Sequence, residues 1–159
     1  MSVCEDVAAF SALAPAGPLL GLDPGSRTIG VAVCDPVRTV ASALETIERT
    51  KFSKDAARLA EITDGRGITG AVVGLPLNMD GSAGPRVQSA RAFAHNLTRV
   101  LSIPVLLWDE RLSTVAAERA LLEADTSRKR RAEVINHVAA AIILQGALDR
   151  MSMAARDDG

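Results

Sequence analysis

Apolar and polar positions change period several times along the chain, and each change marks an element. Leu19-Leu20-Gly21-Leu22-Asp23 is a short apolar run that ends on a carboxylate and meets the turn Pro24-Gly25-Ser26. Thr28 to Cys34 reads as a second strand because β-branched residues are frequent in it, and after the Asp35-Pro36 turn Val40 to Ile47 supplies a third. These three predict an antiparallel meander. Ser53 then reads as a helix N-cap, with Ala56, Leu59, Ala60 and Ile62 at helical spacing until Gly65 and Gly67 stop the run. Gly70 to Gly74 predicts a fourth strand, and the loop Leu75-Pro76-Leu77-Asn78-Met79-Asp80-Gly81 follows it. A helix from about Pro85 to Leu101 places Ala90, Phe93, Ala94, Leu97 and Leu101 on one face. Pro104 to Trp108 is a fifth strand that runs into Asp109-Glu110-Arg111. Beyond it the pattern is helical, first from Ser113 or Thr114 to about Glu123 and then from Ala132 to Met151, where Ala139 to Leu144 is apolar nearly all round.

Strands alternating with helices pair in parallel through right-handed crossovers. The expected fold is therefore α/β, a mixed five-stranded sheet in which a meander of strands 1–3 joins parallel strands 4 and 5, with helices on both faces. Residues 1–17 are rich in Ala and Ser, show no period and read as a flexible N-terminal tail. Residues 18–151 form one domain, and 152–159 read as a second flexible tail.

Composition narrows the classes. A length of 159 residues with 48% hydrophobic positions supports one sizeable core and excludes collagen-like and wholly disordered chains. With only Cys4 and Cys34, a disulfide framework is not expected. Neither a charged-then-apolar secretory signal nor an apolar run of about 18 residues occurs, so a cytoplasmic protein with no membrane partner is expected. The net charge of −1 argues against a phosphate-binding surface, although local clusters can override a global sum. Among 18 basic residues only Lys51, Lys54 and Lys129 are lysine; arginine suits bidentate phosphate contacts, and genomic base composition produces the same bias.

Asp23 falls at the carboxyl end of the first strand, where open α/β sheets place their sites, and Glu110 falls at the end of the fifth in the same way. Two converging carboxylates repel unless a cation or proton intervenes, and their oxygens suit Mg²⁺ or Mn²⁺. Paired ions of this kind can hydrolyse a phosphodiester. Each residue also has a plainer use, Asp23 as a turn aspartate at the Pro24-Gly25 bend and Glu110 as a partner of Arg111 or a helix-entry carboxylate. Asp109 is a third candidate, but strand alternation points it to the opposite face from Trp108 and Glu110. Arg27 and Arg111 adjoin the two carboxylates and could clamp phosphates or pair with the acids. Arg128-Lys129-Arg130-Arg131, just before the last helix, would neutralise flanking phosphates, unless it is an ordinary solvated loop. With Phe10, Phe52, Phe93 and Trp108 the only aromatics, base stacking is poorly supplied, and backbone and shape recognition are the better expectation.

The block from Leu22 to Ala32, the block from Val73 to Gly81, and Asp109-Glu110-Arg111-Leu112-Ser113-Thr114 resemble the signature motifs of the YqgF/RuvX family. The likeness covers roughly residues 18–151. It implies an RNase H-like fold and a metal-dependent endonuclease acting on structured nucleic acid, foremost in 5′-end processing of pre-16S rRNA, with Holliday-junction resolution as the other described activity. Partners would then be pre-rRNA or branched DNA, and the ribosome. It makes Asp23 and Glu110 the acidic Mg²⁺ or Mn²⁺ ligands. The family's third carboxylate lies early in the last helix, and here Asn136 stands at that position. An amide oxygen can still ligate a metal, but it brings no charge and cannot act as a base. Three readings stay open: an inactivating substitution, natural or introduced; compensation by Glu133, one turn earlier on the same helix face; or a catalytically weak nucleic-acid or ribosome-associated binding module. His137 could assist proton transfer or be an ordinary surface histidine. The first motif also resembles the phosphate loop of actin-like ATPases and sugar kinases, which close two lobes over a nucleotide. One domain and the later motifs speak against that class. A two-fold symmetric junction would call for a homodimer, whereas an rRNA end needs only a monomer.

Overall fold

The computed structural model describes residues 2–78, 80–112 and 128–158, with the side chains of 128–137 and 156–158 left aside. Six strands form one sheet: β1 (Val3–Cys4), β2 (Leu19–Pro24), β3 (Thr28–Cys34), β4 (Ala41–Glu48), β5 (Gly70–Leu75) and β6 (Val105–Asp109). Their spatial order is β1-β6-β5-β2-β3-β4. β2–β3 and β3–β4 are antiparallel, and β1–β6, β5–β6 and β2–β5 are parallel. The expected meander and the two parallel strands are all present, and the carboxyl ends of β2, β5 and β6 share one edge of the sheet.

Period-two alternation divides two cores. Leu20, Leu22, Ile29, Val31, Val73 and Leu107 pack on one face with Leu59 and Ile62 of α2 (Phe52–Arg66) and Val87, Phe93 and Leu97 of α3 (Pro85–Leu101). Leu19, Ala32, Val72, Leu106 and Trp108 pack on the other with Phe10 of α1 (Val7–Leu13) and Ala140, Ile143, Leu144 and Leu148 of α4 (Arg128–Asp158). The stretch Val138–Ala155 is long and apolar enough to cross a membrane by composition. Here its Ala139, Ala140, Ile143, Leu144, Ala147 and Leu148 stripe is buried in this second core instead.

Four expectations need correction. A sixth strand exists, because residues 1–17, read as a tail, carry β1 and α1. Two strand residues and one buried aromatic, Phe10, are too few to produce a period, yet Phe10 is 0% exposed and the Asp6 carboxylate caps α1 by accepting from the Ala8 and Ala9 amides at 3.3 and 3.2 Å. α2 begins at Phe52 rather than after Ser53: its N-cap is Lys51, and the buried Asp55 carboxylate accepts from the amide and hydroxyl of Thr50 at 3.2 and 3.1 Å. Its other end is as expected, since Gly67 takes φ 65° as a left-handed cap. α4 spans Arg128–Asp158, so the basic run lies in its first turn and 152–158 continue the helix. Arg, Lys, Ala, Glu and Met are strong helix formers, and no breaker separates them from the buried stripe. The helix expected up to Glu123 lies outside the described residues.

α4 can approach the sheet closely because two positions under it lack side chains. A Cβ at Gly21 would stand 2.7 Å from Leu144 Cβ and 2.9 Å from the Ala140 carbonyl, and one at Gly74 would stand 2.5 Å from Ile143 Cδ1. Gly21→Ala should therefore displace α4 and cost about 1–3 kcal/mol, read from the urea midpoint. Phe10→Ala should cost about 3 kcal/mol in the same titration if α1 is part of the cooperative fold; a loss near zero would mean that the segment does not contribute.

Candidate active site

The edge at the carboxyl ends of β2, β5 and β6 is built by register. Leu22 pairs with Val73, so the next step along these parallel strands sets Asp23 beside Gly74, which pairs in turn with Trp108. Neighbouring strands lie about 4.8 Å apart, so Asp23 and Gly74 are adjacent across the ladder. β6 ends at Asp109 and passes directly into a 3₁₀ turn, Glu110–Leu112. The Glu110 side chain leans back over β5, and its Cγ lies 3.3 Å from where a Gly74 Cβ would be. Asp23 and Glu110 are 3% and 8% exposed. Alternation puts Asp23 on the face that Gly21 presents to α4, and Glu110 meets the same face at Gly74 beside Ile143. The structure thus brings together the two carboxylates that the sequence singled out.

Asp109 occupies the other side, as alternation requires. Its carboxylate accepts from the Arg111 amide at 2.9 Å and from the Arg111 guanidinium at 2.7 Å (Nη2) and 3.1 Å (Nε). These hydrogen bonds hold the Asp109 carboxyl below the usual range and raise Arg111 above its own. The side chain of Arg111 also lies against Gly81, whose φ of 88° favours glycine and where a Cβ would stand 3.3 Å from the guanidinium. The loop around Gly81 is held by its own bonds, with Asp80 Oδ1 accepting from the Ser82 amide at 2.9 Å and hydroxyl at 2.6 Å. Ser82 therefore closes the loop, and Pro85 starts α3. Arg27 is exposed at the tip of the β2–β3 turn. The side chains of Arg128, Lys129, Arg130, Arg131, Glu133, Asn136 and His137 lie outside the description, as do the backbones of Ser113 and Thr114.

Two contributors were not picked out from sequence. Gly74 read only as a strand end, though an isolated strand glycine is itself a signal of close approach. Arg49 carried no signal at all, yet its Nη1 donates to the Gly25 carbonyl at 2.6 Å, directly behind Asp23. A cleft of about 590 Å³ between β6 and α4, lined by Trp108, Leu112, Ile142 and Gly146, includes neither carboxylate in its lining. The acidic pair stands instead at the carboxyl ends of β2 and β6.

Comparison with known proteins identifies a family. The sequence profile of the family described as "RuvX: Holliday junction resolvase" matches residues 17–150. A protein of Cereibacter sphaeroides (strain ATCC 17025) is 64% identical over 154 residues, covering 96% of each chain. One from Ruegeria sp. (strain TM1040) is 67% identical over 147 residues, 92% of each chain, and one from Paracoccus denitrificans is 60% identical over 157 residues, 98% of this chain and 99% of its own. All three carry the name "Putative pre-16S rRNA nuclease". Among solved structures, Thermus thermophilus RuvC in complex with a Holliday junction substrate superposes with a TM-score of 0.54 at 18% identity, over 85% of this chain and 96% of that one, a likeness of fold. With most of its length matched by one profile and relatives above 60% identity end to end, the chain belongs to the RuvX family.

Proposed function

We propose that the chain is a divalent-cation-dependent endonuclease that hydrolyses phosphodiester bonds of structured nucleic acid, with the 5′ end of pre-16S rRNA as its substrate. One observation carries this reading: Glu110 leans over the side-chain-free Gly74 toward the strand position beside Asp23, so two buried carboxylates share one face at one sheet edge. Family membership and the names of the relatives support the class of reaction and the substrate.

The donor set fits a hard cation. Mg²⁺ is commonly held through one or two carboxylates, with water and substrate phosphates completing its shell. Among the described residues no group of three or more His, Cys, Asp or Glu stands together at metal-binding distance, so the protein's share comes down to Asp23 and Glu110, with Glu133 and Asn136 as further contributors. When bound, Mg²⁺ or Mn²⁺ supplies Lewis-acid polarisation of the phosphate and activation of the attacking water. Asp23 and Glu110 would hold the cation, since both are buried at the same edge. Arg27, exposed on the adjoining turn, meets a flanking phosphate, and Arg128, Lys129, Arg130 and Arg131 neutralise the strand farther along. Arg111 is already paired with Asp109 through Nε and Nη2.

Asn136 favours a second reading, a nucleic-acid or ribosome-associated binder with little cleavage. Two measurements separate them on pre-16S rRNA carrying its 5′ extension, with branched DNA as the comparison. Asp23→Asn and Glu110→Gln should each lower cleavage by about a hundredfold or more. Cation binding should stabilise the wild type by about 2.7 kcal/mol at a hundred times its dissociation constant, and Asp23→Asn should erase that gain. Cleavage that survives Asp23→Asn would sink the cation site. For the third position, Asn136→Asp should raise cleavage by about tenfold, because added ligand charge tightens a cation site; an unchanged rate would favour compensation by Glu133 or the binding role.

A further inference from the structure

The geometry points to Arg49 as a positioning residue for this site: its guanidinium props the turn after Asp23 and so fixes where the Asp23 carboxylate and the Arg27 side chain stand. Arg49 follows β4 directly, and its amide donates to the Arg27 carbonyl at 2.8 Å, one step beyond the Thr28–Glu48 pair of the β3–β4 ladder. The side chain continues toward the turn itself, with Nη1 donating to the Gly25 carbonyl at 2.6 Å. Its guanidinium carbon lies 5.6 Å from the centroid of the Phe93 ring, and Phe93 meets Phe52 edge to face at 6.0 Å. Phe93 is 4% exposed in the core beneath α3. A continuous path therefore runs from packed aromatic side chains through a cation to one backbone carbonyl.

That carbonyl lies beside the exposed tip of the turn. Ser26 and Arg27 are exposed, Gly25 has no side chain, and the Gly25 N–H donates to the Thr28 carbonyl at 2.8 Å across the turn. A glycine beside an exposed tip is free to swing unless something outside the turn holds it. A charge-assisted bond from a half-buried arginine that also stands over an aromatic ring is a stiff hold. Asp23 is separated from the held carbonyl by Pro24 alone, whose fixed φ passes the constraint on. Arg49 acts on the site through the turn.

The inference rests on the nuclease reading for its consequence, and the experiment separates the two. Wild type, Arg49→Ala, Arg49→Lys and Asp23→Asn are compared by amide hydrogen exchange, thermal melting and cleavage of pre-16S rRNA with Mg²⁺. In Arg49→Ala the Gly25 amide should exchange about tenfold faster while amides of the central β2–β5 ladder keep their protection. kcat should fall about tenfold with KM within about twofold, because a misplaced group costs the reaction more than it costs binding. Arg49→Lys should recover most of both, since one ammonium can keep the single bond and the contact with the ring. Unchanged Gly25 exchange, a uniform loss of protection across the sheet, or failure of lysine to rescue would each overturn the role. Selective exchange at Gly25 in a protein whose wild type cleaves neither rRNA nor branched DNA would sink the nuclease reading and leave the prop standing.

Discussion

Everything at the acidic edge depends on how close α4 lies to the sheet. Helices usually stand about 10 Å from a sheet because side chains from both layers fill the gap. Here Gly21 and Gly74 remove one layer at two points, and Leu144, the Ala140 carbonyl and Ile143 move into the space. The same removal at Gly74 leaves room for Glu110 to lean inward. One missing side chain thus serves two purposes, packing of the last helix and approach of the second carboxylate to the first. Packing and site geometry cannot be varied separately at this position, since a methyl group there would meet Ile143 and Glu110 together.

Acidic side chains stand on both faces of the sheet at the end of β6. Asp109 is neutralised locally, its carboxylate matched by Arg111 through three donors. Asp23 and Glu110 gather on the opposite face, in the least exposed part of the edge. Consecutive carboxylates 109 and 110 can differ this way only because the chain is still extended at Asp109 and turns at Glu110, so strand alternation sends one to each side. Asp109 also fastens the first turn of the 3₁₀ segment by accepting from the Arg111 amide, and so contributes to where Glu110 begins.

Much of this was legible in the sequence because it follows from local rules. The meander, the parallel strands, the α3 face and the division between Asp109 and Glu110 come from alternation and periodicity, each repeated over enough residues to stand out. What stayed hidden rests on single contacts between distant segments. β1 and α1 depend on two strand residues and one buried phenylalanine docking against Gly70, some sixty residues away along the chain. Arg49 looked like any surface arginine until β4 was paired with β3 and its end was carried to the Gly25 turn. The start of α2 was misread because Ser53 has the right chemistry for a cap, while the real tether is Asp55 reaching back to Thr50, a reversal that no local propensity encodes. The near-zero net charge misleads for a related reason.

A sum over 18 basic and 19 acidic residues treats every charge as available. In the folded chain Arg58 is held by Glu45 and Glu61, Arg91 by Glu5 and Arg111 by Asp109, so these charges offset one another within surface pairs. Arg38 is taken up differently, donating to the Ala14 and Gly17 carbonyls at 2.7 and 2.8 Å and tying the segment before β2 to the β3–β4 turn. Arg49 is spent on Gly25. What a phosphate would meet is set by the residues left after this internal pairing, and by the faces on which they fall. Screening limits each surface charge to a neighbourhood of about 8–10 Å at physiological ionic strength, so what an exposed arginine such as Arg27 offers is set by its own surroundings and not by the sum over the chain. A neutral total is therefore compatible with a face that binds polyanions, because part of the cancellation takes place in pairs such as Arg58–Glu45 and Arg91–Glu5 away from the acidic edge.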